Sequence, residues 1–174
     1  MSTPEPGPPQ DFVLWRAYVP RWSYAPLSGE GAARYGGRWN AIGQPCLYAA
    51  RELSTAWAEY NQGFVQHPAL IAQLIVSGAR LADLTRPEML HALGASNAIH
   101  ALEWRAVLDS GSQPETHRLA AVLAEAGWDG VIYPSAMSPG GSCVALWRWN
   151  EREGPVVAVL DPERRLPGGP QSWS

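Results

Sequence analysis

A cation, an aromatic ring and a carboxylate lie close together in the chain. Arg38 stands inside Tyr35-Gly36-Gly37-Arg38-Trp39-Asn40, and Tyr48 and Glu59 follow. The planar guanidinium of an arginine gives phosphate a charge-assisted, bidentate hydrogen bond. An aromatic face attracts a positively charged ring by roughly 0.5–2 kcal/mol. A carboxylate offsets the positive charge that develops on a sugar carbon as its glycosidic bond breaks. Together the three suit cleavage of a bond between a cationic base and a ribose, as in a nicotinamide nucleotide. Each also has a plainer reading. Arg38 can pair with Glu30 or Glu52, Tyr48 can be a core tyrosine, and Glu59 can be an exposed helix glutamate.

The surrounding sequence indicates which elements must carry these groups. Gly36, Gly37, Gly43 and Pro45 bend the backbone between Arg38 and Tyr48. Tyr48 sits in the apolar run 45–50, which reads as a buried strand. Leu53, Ala56, Trp57 and Tyr60 follow helical spacing, so Glu59 is expected on a helix from Leu53 to Tyr60, capped by Ser54 or Thr55 and ended by Gly63. Phe12 to Val19 is apolar apart from Arg16 and reads as a central strand. Arg16 is then a buried or cleft-facing cation that either helps with phosphate or pairs with a buried carboxylate. Pro20 to Gly43 reads as a long loop, a kind of segment that often carries function.

Further strands are expected at Leu70–Val76, Arg80–Leu84, Val131–Tyr133, Cys143–Trp149 and Val156–Leu160. Helices are expected to open at Thr85-Arg86-Pro87, at Asn97 (running to Leu108) and at Gln113-Pro114-Glu115 (ending at Gly127). Strands early and late with helices between them predict a mixed α+β domain. Residues 1–10 read as a disordered tail and 166–174 as a flexible one, around a single domain at 11–165.

The chain has 174 residues, 46% hydrophobic and 17% charged, so it can bury a sizeable core. Nine tryptophans exceed what a core alone needs, and several should line a cleft or an interface. A net charge of −3 with no basic run argues against direct nucleic-acid binding. Cys46 and Cys143 each lie in an apolar run and read as buried thiols. His67, His91, His100 and His117 lack ligand spacing, so no metal site is expected. No apolar run nears the roughly 20 residues that span a bilayer, and the Pro-rich start has no signal pattern. A soluble, cytoplasmic protein is the expectation.

Gly36-Gly37-Arg38-Trp39-Asn40, Tyr48-Ala49-Ala50 and Ala56-x-x-Glu59 resemble the RES domain, a family named for Arg, Glu and Ser. The segment Gly127-Trp128-Asp129-Gly130-Val131-Ile132-Tyr133-Pro134-Ser135-Ala136 resembles its second half and supplies the Ser. The resemblance runs from about Leu14 to Trp147. Many members carry an Asn shortly after the Ser segment, where this chain has Gly141-Ser142-Cys143.

The resemblance implies a bacterial toxin neutralised by a partner antitoxin with a helix-turn-helix domain. It implies a split, twisted mixed sheet with flanking helices, similar to ADP-ribosyltransferase toxins, around a cleft for NAD. NAD is then a substrate. Its nicotinamide–ribose bond is broken and ADP-ribose passes to water, to phosphate or to a protein such as phosphoribosyl pyrophosphate synthetase. Glu59 would serve the ribose, Arg38 the diphosphate and Tyr48 the nicotinamide ring. Ser135 would hydrogen-bond Glu59 or the ribose, or is simply a turn serine after Pro134. It is not set in a Gly-x-Ser-x-Gly nucleophile elbow. Trp39 and Asn40 would wall the pocket, unless Asn40 only closes the turn. A catalytically silent partner-binding module, using the tryptophans to dock an antitoxin, is the rival reading from another class.

Overall fold

The computed structural model describes residues 3–63 and 65–173. Seven strands form one sheet: β1 (Gln10–Tyr18), β2 (Leu47–Ala50), β3 (Leu70–Ala79), β4 (Leu81–Asp83), β5 (Gly130–Pro134), β6 (Ser142–Leu146) and β7 (Val156–Val159). Their spatial order is β4-β5-β6-β2-β1-β3-β7, and β4–β5 is the parallel pair. Five α-helices accompany them: α1 (Glu30–Tyr35), α2 (Leu53–Asn61), α3 (Pro87–Ala92), α4 (Trp104–Asp109) and α5 (Glu115–Glu125). This is the mixed α+β architecture that the order of apolar runs predicts.

The sheet is unevenly joined. β1 and β3 pair along nearly their whole length, from Gln10 opposite Ala79 to Tyr18 opposite Leu70. β2 pairs fully with β6, from Leu47 opposite Leu146 to Ala50 opposite Cys143. Between β1 and β2 the register records one pair, Trp15 with Ala50. The sheet therefore consists of two well-bonded halves, β4-β5-β6-β2 and β1-β3-β7, that meet at a weak seam.

Period-two alternation buries one set of side chains on each face. Leu14, Leu74, Val76, Leu47, Val144 and Leu146 form one core cluster that runs through both halves. Ala145, Val131, Leu84, Leu90, Leu119, Leu123 and Trp39 form a second, beneath α3 and α5. Helix α5 contributes because Thr116, Leu119, Ala120 and Leu123 share one stripe. Cys46 and Cys143 are buried free thiols, as expected. Burial pushes both up to about 12.

Several expectations need correction. The 20–43 segment is not structureless. It holds a 3₁₀ turn at Pro20–Trp22 and helix α1, whose short helical run hid among glycines. Neither Ser54 nor Thr55 caps α2. Glu52 occupies the cap position, and Thr55 donates to its carboxylate at 3.1 Å. Helix α2 ends at Asn61, with Gln62 left-handed, just before Gly63. The helix expected from Asn97 to Leu108 is two pieces. A 3₁₀ turn spans Asn97–Ala101, Leu102 is extended, and α4 starts at Trp104. The cap at that turn is Ser96, not Asn97. β3 runs on to Ala79, and β6 stops at Leu146. Near the N-terminus, the Pro4 carbonyl accepts a hydrogen bond from Trp128 Nε1 at 3.0 Å. No helix among the described residues is long and apolar enough to cross a membrane.

Candidate active site

A cleft of about 620 Å³ is lined from both sides of the seam. β1 contributes Trp15, Arg16 and Ala17, the turn after α1 contributes Gly37 and Arg38, and β2 contributes Tyr48. Helix α2 adds Glu59 and Tyr60, β5 adds Tyr133, and Ala136 and Met137 follow it. Trp104 and Arg105 at the start of α4 complete the wall. The volume falls in the range of small-molecule and cofactor sites.

Glu59 lies on α2 one turn beyond Thr55 and Ala56, which are buried, so helical spacing turns its carboxylate inward. The loop after β5 reaches back to meet it. Ser135 Oγ donates to Glu59 Oε1 at 2.6 Å, and the backbone N–H groups of Ala136 and Met137 donate to the same oxygen at 3.1 and 3.4 Å. All three of these donors go to Oε1, and none of them occupies Glu59 Oε2. Ser135 Oγ in turn accepts from the N–H groups of Met137 (3.1 Å) and Ser138 (2.9 Å). Its proton is directed at Glu59 and its lone pairs are engaged, which is the geometry of an orienting group rather than a nucleophile. Further contacts tie this loop to the start of α2: the hydroxyls of Thr55 and Ser138 lie 3.3 Å apart, and Ser142 N donates to Glu52 Oε2 at 3.1 Å.

Arg38 leaves a tight turn in which the Gly37 N–H donates to the Asn40 carbonyl at 3.0 Å. Gly36 has φ +71°, and a Cβ on Gly37 would collide with the Tyr48 hydroxyl and with Asn40 Oδ1 at 2.7 Å. Only glycines fit there. Arg38 Nη1 donates to the His100 carbonyl at 3.1 Å, so it pairs with neither Glu30 nor Glu52. Arg16 likewise has no carboxylate partner among the described residues: its Nη1 and Nη2 donate to the carbonyls of Pro26 and Ser28, both at 2.9 Å. Burial lowers its pKa to about 10. It therefore stays charged at neutral pH, a cation in the cleft wall held by carbonyl dipoles.

The Tyr48 hydroxyl accepts from Trp39 N and donates to Asn40 Oδ1, both at 2.8 Å. Burial raises its pKa well above the ordinary phenol value. Its hydroxyl is thus occupied, and the ring is what it offers the cleft. Trp39 and Asn40 do not wall the pocket as expected. Trp39 is 0% exposed and packs in the second core cluster against Tyr133, with ring centroids 5.5 Å apart. Asn40 is 1% exposed, and its Nδ2 donates to the carbonyls of Ala32, Ala41 and Gln44. Asn40 closes the turn. Both residues belong to the wall's support because an indole and an amide with these partners point into the core.

Two supports were not read from the sequence. His117 Nε2 lies 2.7 Å from the Gly37 carbonyl, and His100 Nε2 lies 3.0 Å from the Leu84 carbonyl. The one available signal was that His117 falls in the buried stripe of α5, where a polar ring needs a partner. Among the described residues no group of His, Cys, Asp and Glu is arranged to hold a metal.

Residues 13–168 match the RES domain family. The chain belongs to that family. Its RES relatives include the Toxin Res of Photorhabdus laumondii, 40% identical over 48 residues, a match spanning 28% of this chain and 31% of that protein. NAD(+) phosphorylase MbcT of Mycobacterium tuberculosis is 28% identical over 145 residues, covering 74% of this chain and 69% of the relative. The same fold recurs in the crystal structure of the M. tuberculosis MbcT–MbcA toxin–antitoxin complex, with a TM-score of 0.62 and 21% identity over 89% of this chain and 87% of that one.

Proposed function

We propose that this RES domain is a toxin that cleaves the nicotinamide–ribose bond of NAD. The observation that carries the reading is the convergence of Arg16, Arg38, Tyr48 and Glu59 on one cleft, with Glu59 fixed by Ser135. Arg38, with Arg16 in the wall of the same cleft, takes the diphosphate, because both keep further N–H groups beyond those used within the chain. The Tyr48 ring stacks on the cationic nicotinamide. Glu59 Oε2 accepts from a ribose hydroxyl and stabilises the oxocarbenium-like carbon as nicotinamide leaves. Ser135 holds the carboxylate in place and does not attack the sugar. The C–N bond breaks with its electron pair going to nicotinamide, and the acceptor oxygen then bonds to the ribose carbon.

The name of the MbcT relative favours phosphate as that acceptor. The open cleft also admits water or a protein side chain. The MbcT–MbcA complex supports an antitoxin partner for this chain. We expect that partner to carry a helix-turn-helix domain and to cover the cleft, in the cytoplasm of a bacterium. The test is to incubate the purified chain with NAD, with and without phosphate, and identify products by mass spectrometry. Nicotinamide with ADP-ribose or its phosphorylated form is expected, and labelled protein instead marks transfer. Intact NAD under all conditions, with Glu59→Gln as harmless to cells as the parent chain, points to a partner-binding module.

A further inference from the structure

The turn that presents Arg38 is held by ties from distant parts of the chain. Tyr48 on β2 accepts the Trp39 N–H on one side of Arg38. His117 on α5 meets the Gly37 carbonyl on the other, at 2.7 Å. A carbonyl oxygen only accepts, so His117 Nε2 carries the proton of this bond. The ring is 5% exposed, and the bond is among the few that join α5 to the α1–β2 segment. Gly37 and Arg38 share the peptide plane to which that carbonyl belongs. Fixing the carbonyl therefore fixes the plane from which the Arg38 side chain departs.

We propose that His117 is a positioning residue for substrate binding: its ring N–H locks the Gly37–Arg38 peptide so that the guanidinium is preset for a diphosphate. The assignment rests on the reading of Arg38 as the diphosphate ligand. A preset cation strengthens binding by removing an ordering cost. The diphosphate lies away from the breaking bond and is held alike in ground and transition states. Loss of His117 should therefore raise KM and leave kcat nearly unchanged.

The test compares His117→Leu, His117→Asn and His117→Gln with the parent chain for nicotinamide release from NAD. A glutamine amide reaches as far as Nε2 and donates as it does, whereas an asparagine amide stops short. We expect KM for NAD to rise roughly tenfold in the Leu and Asn variants, as for the loss of one such bond. It should stay within about twofold of the parent in His117→Gln. Should His117→Leu fail to fold, the Asn–Gln comparison carries the same contrast. If KM is unchanged in the Asn variant, or shifts equally in Asn and Gln, or kcat falls in place of KM, the proposal is overturned. Arg38→Ala run in parallel separates the two levels. If it binds NAD like the parent, the role given to Arg38 fails. If it binds poorly while His117→Asn binds well, only the role of His117 fails.

Discussion

If Glu59 is the carboxylate that serves the ribose and Ser135 only orients it, as proposed, their substitutions should separate cleanly. Glu59→Gln keeps the shape of the side chain but removes its charge, so nicotinamide release should fall about 100-fold or more with the chain still folded. Ser135→Ala removes the donor at 2.6 Å yet leaves the Ala136 and Met137 N–H groups on the same oxygen. Its activity should fall only about tenfold, the scale of one lost hydrogen bond. Activity in Ser135→Ala as low as in Glu59→Gln would restore the nucleophile reading. The buried thiols make a second prediction at this scale. Cys46 and Cys143 stay protonated in the native chain up to about pH 12, whereas in the unfolded chain they ionise near their ordinary 9. The unfolded state thus releases protons first, and stability falls as pH rises above 9, by about 1.4 kcal/mol per unit for each fully responding thiol. Arg16, held down to about 10 by burial, acts in the opposite sense, but only above pH 10. Denaturation midpoints measured from pH 8 to 10 should therefore decline, and a flat profile would contradict the burial of both thiols.

Elements are joined here by a few polar side chains. The turn between α1 and β2 depends on the absence of a side chain at Gly37, where a Cβ would strike the Tyr48 hydroxyl and Asn40. Gly37→Ala should cost roughly 1–3 kcal/mol through overpacking and should also weaken NAD binding, because the same turn carries Arg38. Thermal melting and a KM measurement check the two halves of that statement. At the opposite end of β5 from Ser135, Asp129 is fully buried between elements. It accepts from Arg80 N at 2.7 Å and pairs with Arg148 Nε at 2.6 Å, so it fastens the start of β4 to the segments before β5 and after β6. Asp129→Ala should lose about 3 kcal/mol or more, since it strands a half-buried guanidinium and an amide without their acceptor. A melting temperature close to that of the parent would sink this.

At the scale of the molecule, the cleft exists because the strand ladder between the two halves of the sheet is reduced to one register pair, Trp15 with Ala50. Each half is internally well bonded, so the seam is where the chain can leave room for a ligand without losing its core. A partner that inhibits the protein is expected to occupy this opening. Addition of a purified cognate antitoxin should therefore slow nicotinamide release competitively with NAD, and non-competitive inhibition would place the partner elsewhere. The α+β class, most strands and helices α2, α3 and α5 were legible in the sequence. Their apolar periodicity is local, and local burial is what shaped it. The glycines of 36–37, Arg38, Tyr48, Glu59 and Ser135 were legible for another reason: their types and spacing match a recurring pattern. Helix α1 was not legible, because six residues between glycines carry too little periodicity to register. Nor was the break at Leu102 that presents Trp104 to the cleft. Composition and spacing thus determined the kind of domain and named candidate side chains for its site. Only the tertiary structure decided which of them share a hollow, that Trp39 and Asn40 face inward as supports, and that His117 grips the arginine turn. Those outcomes depend on contacts between residues tens of positions apart, and a linear pattern does not encode the distance across which a side chain finds its partner.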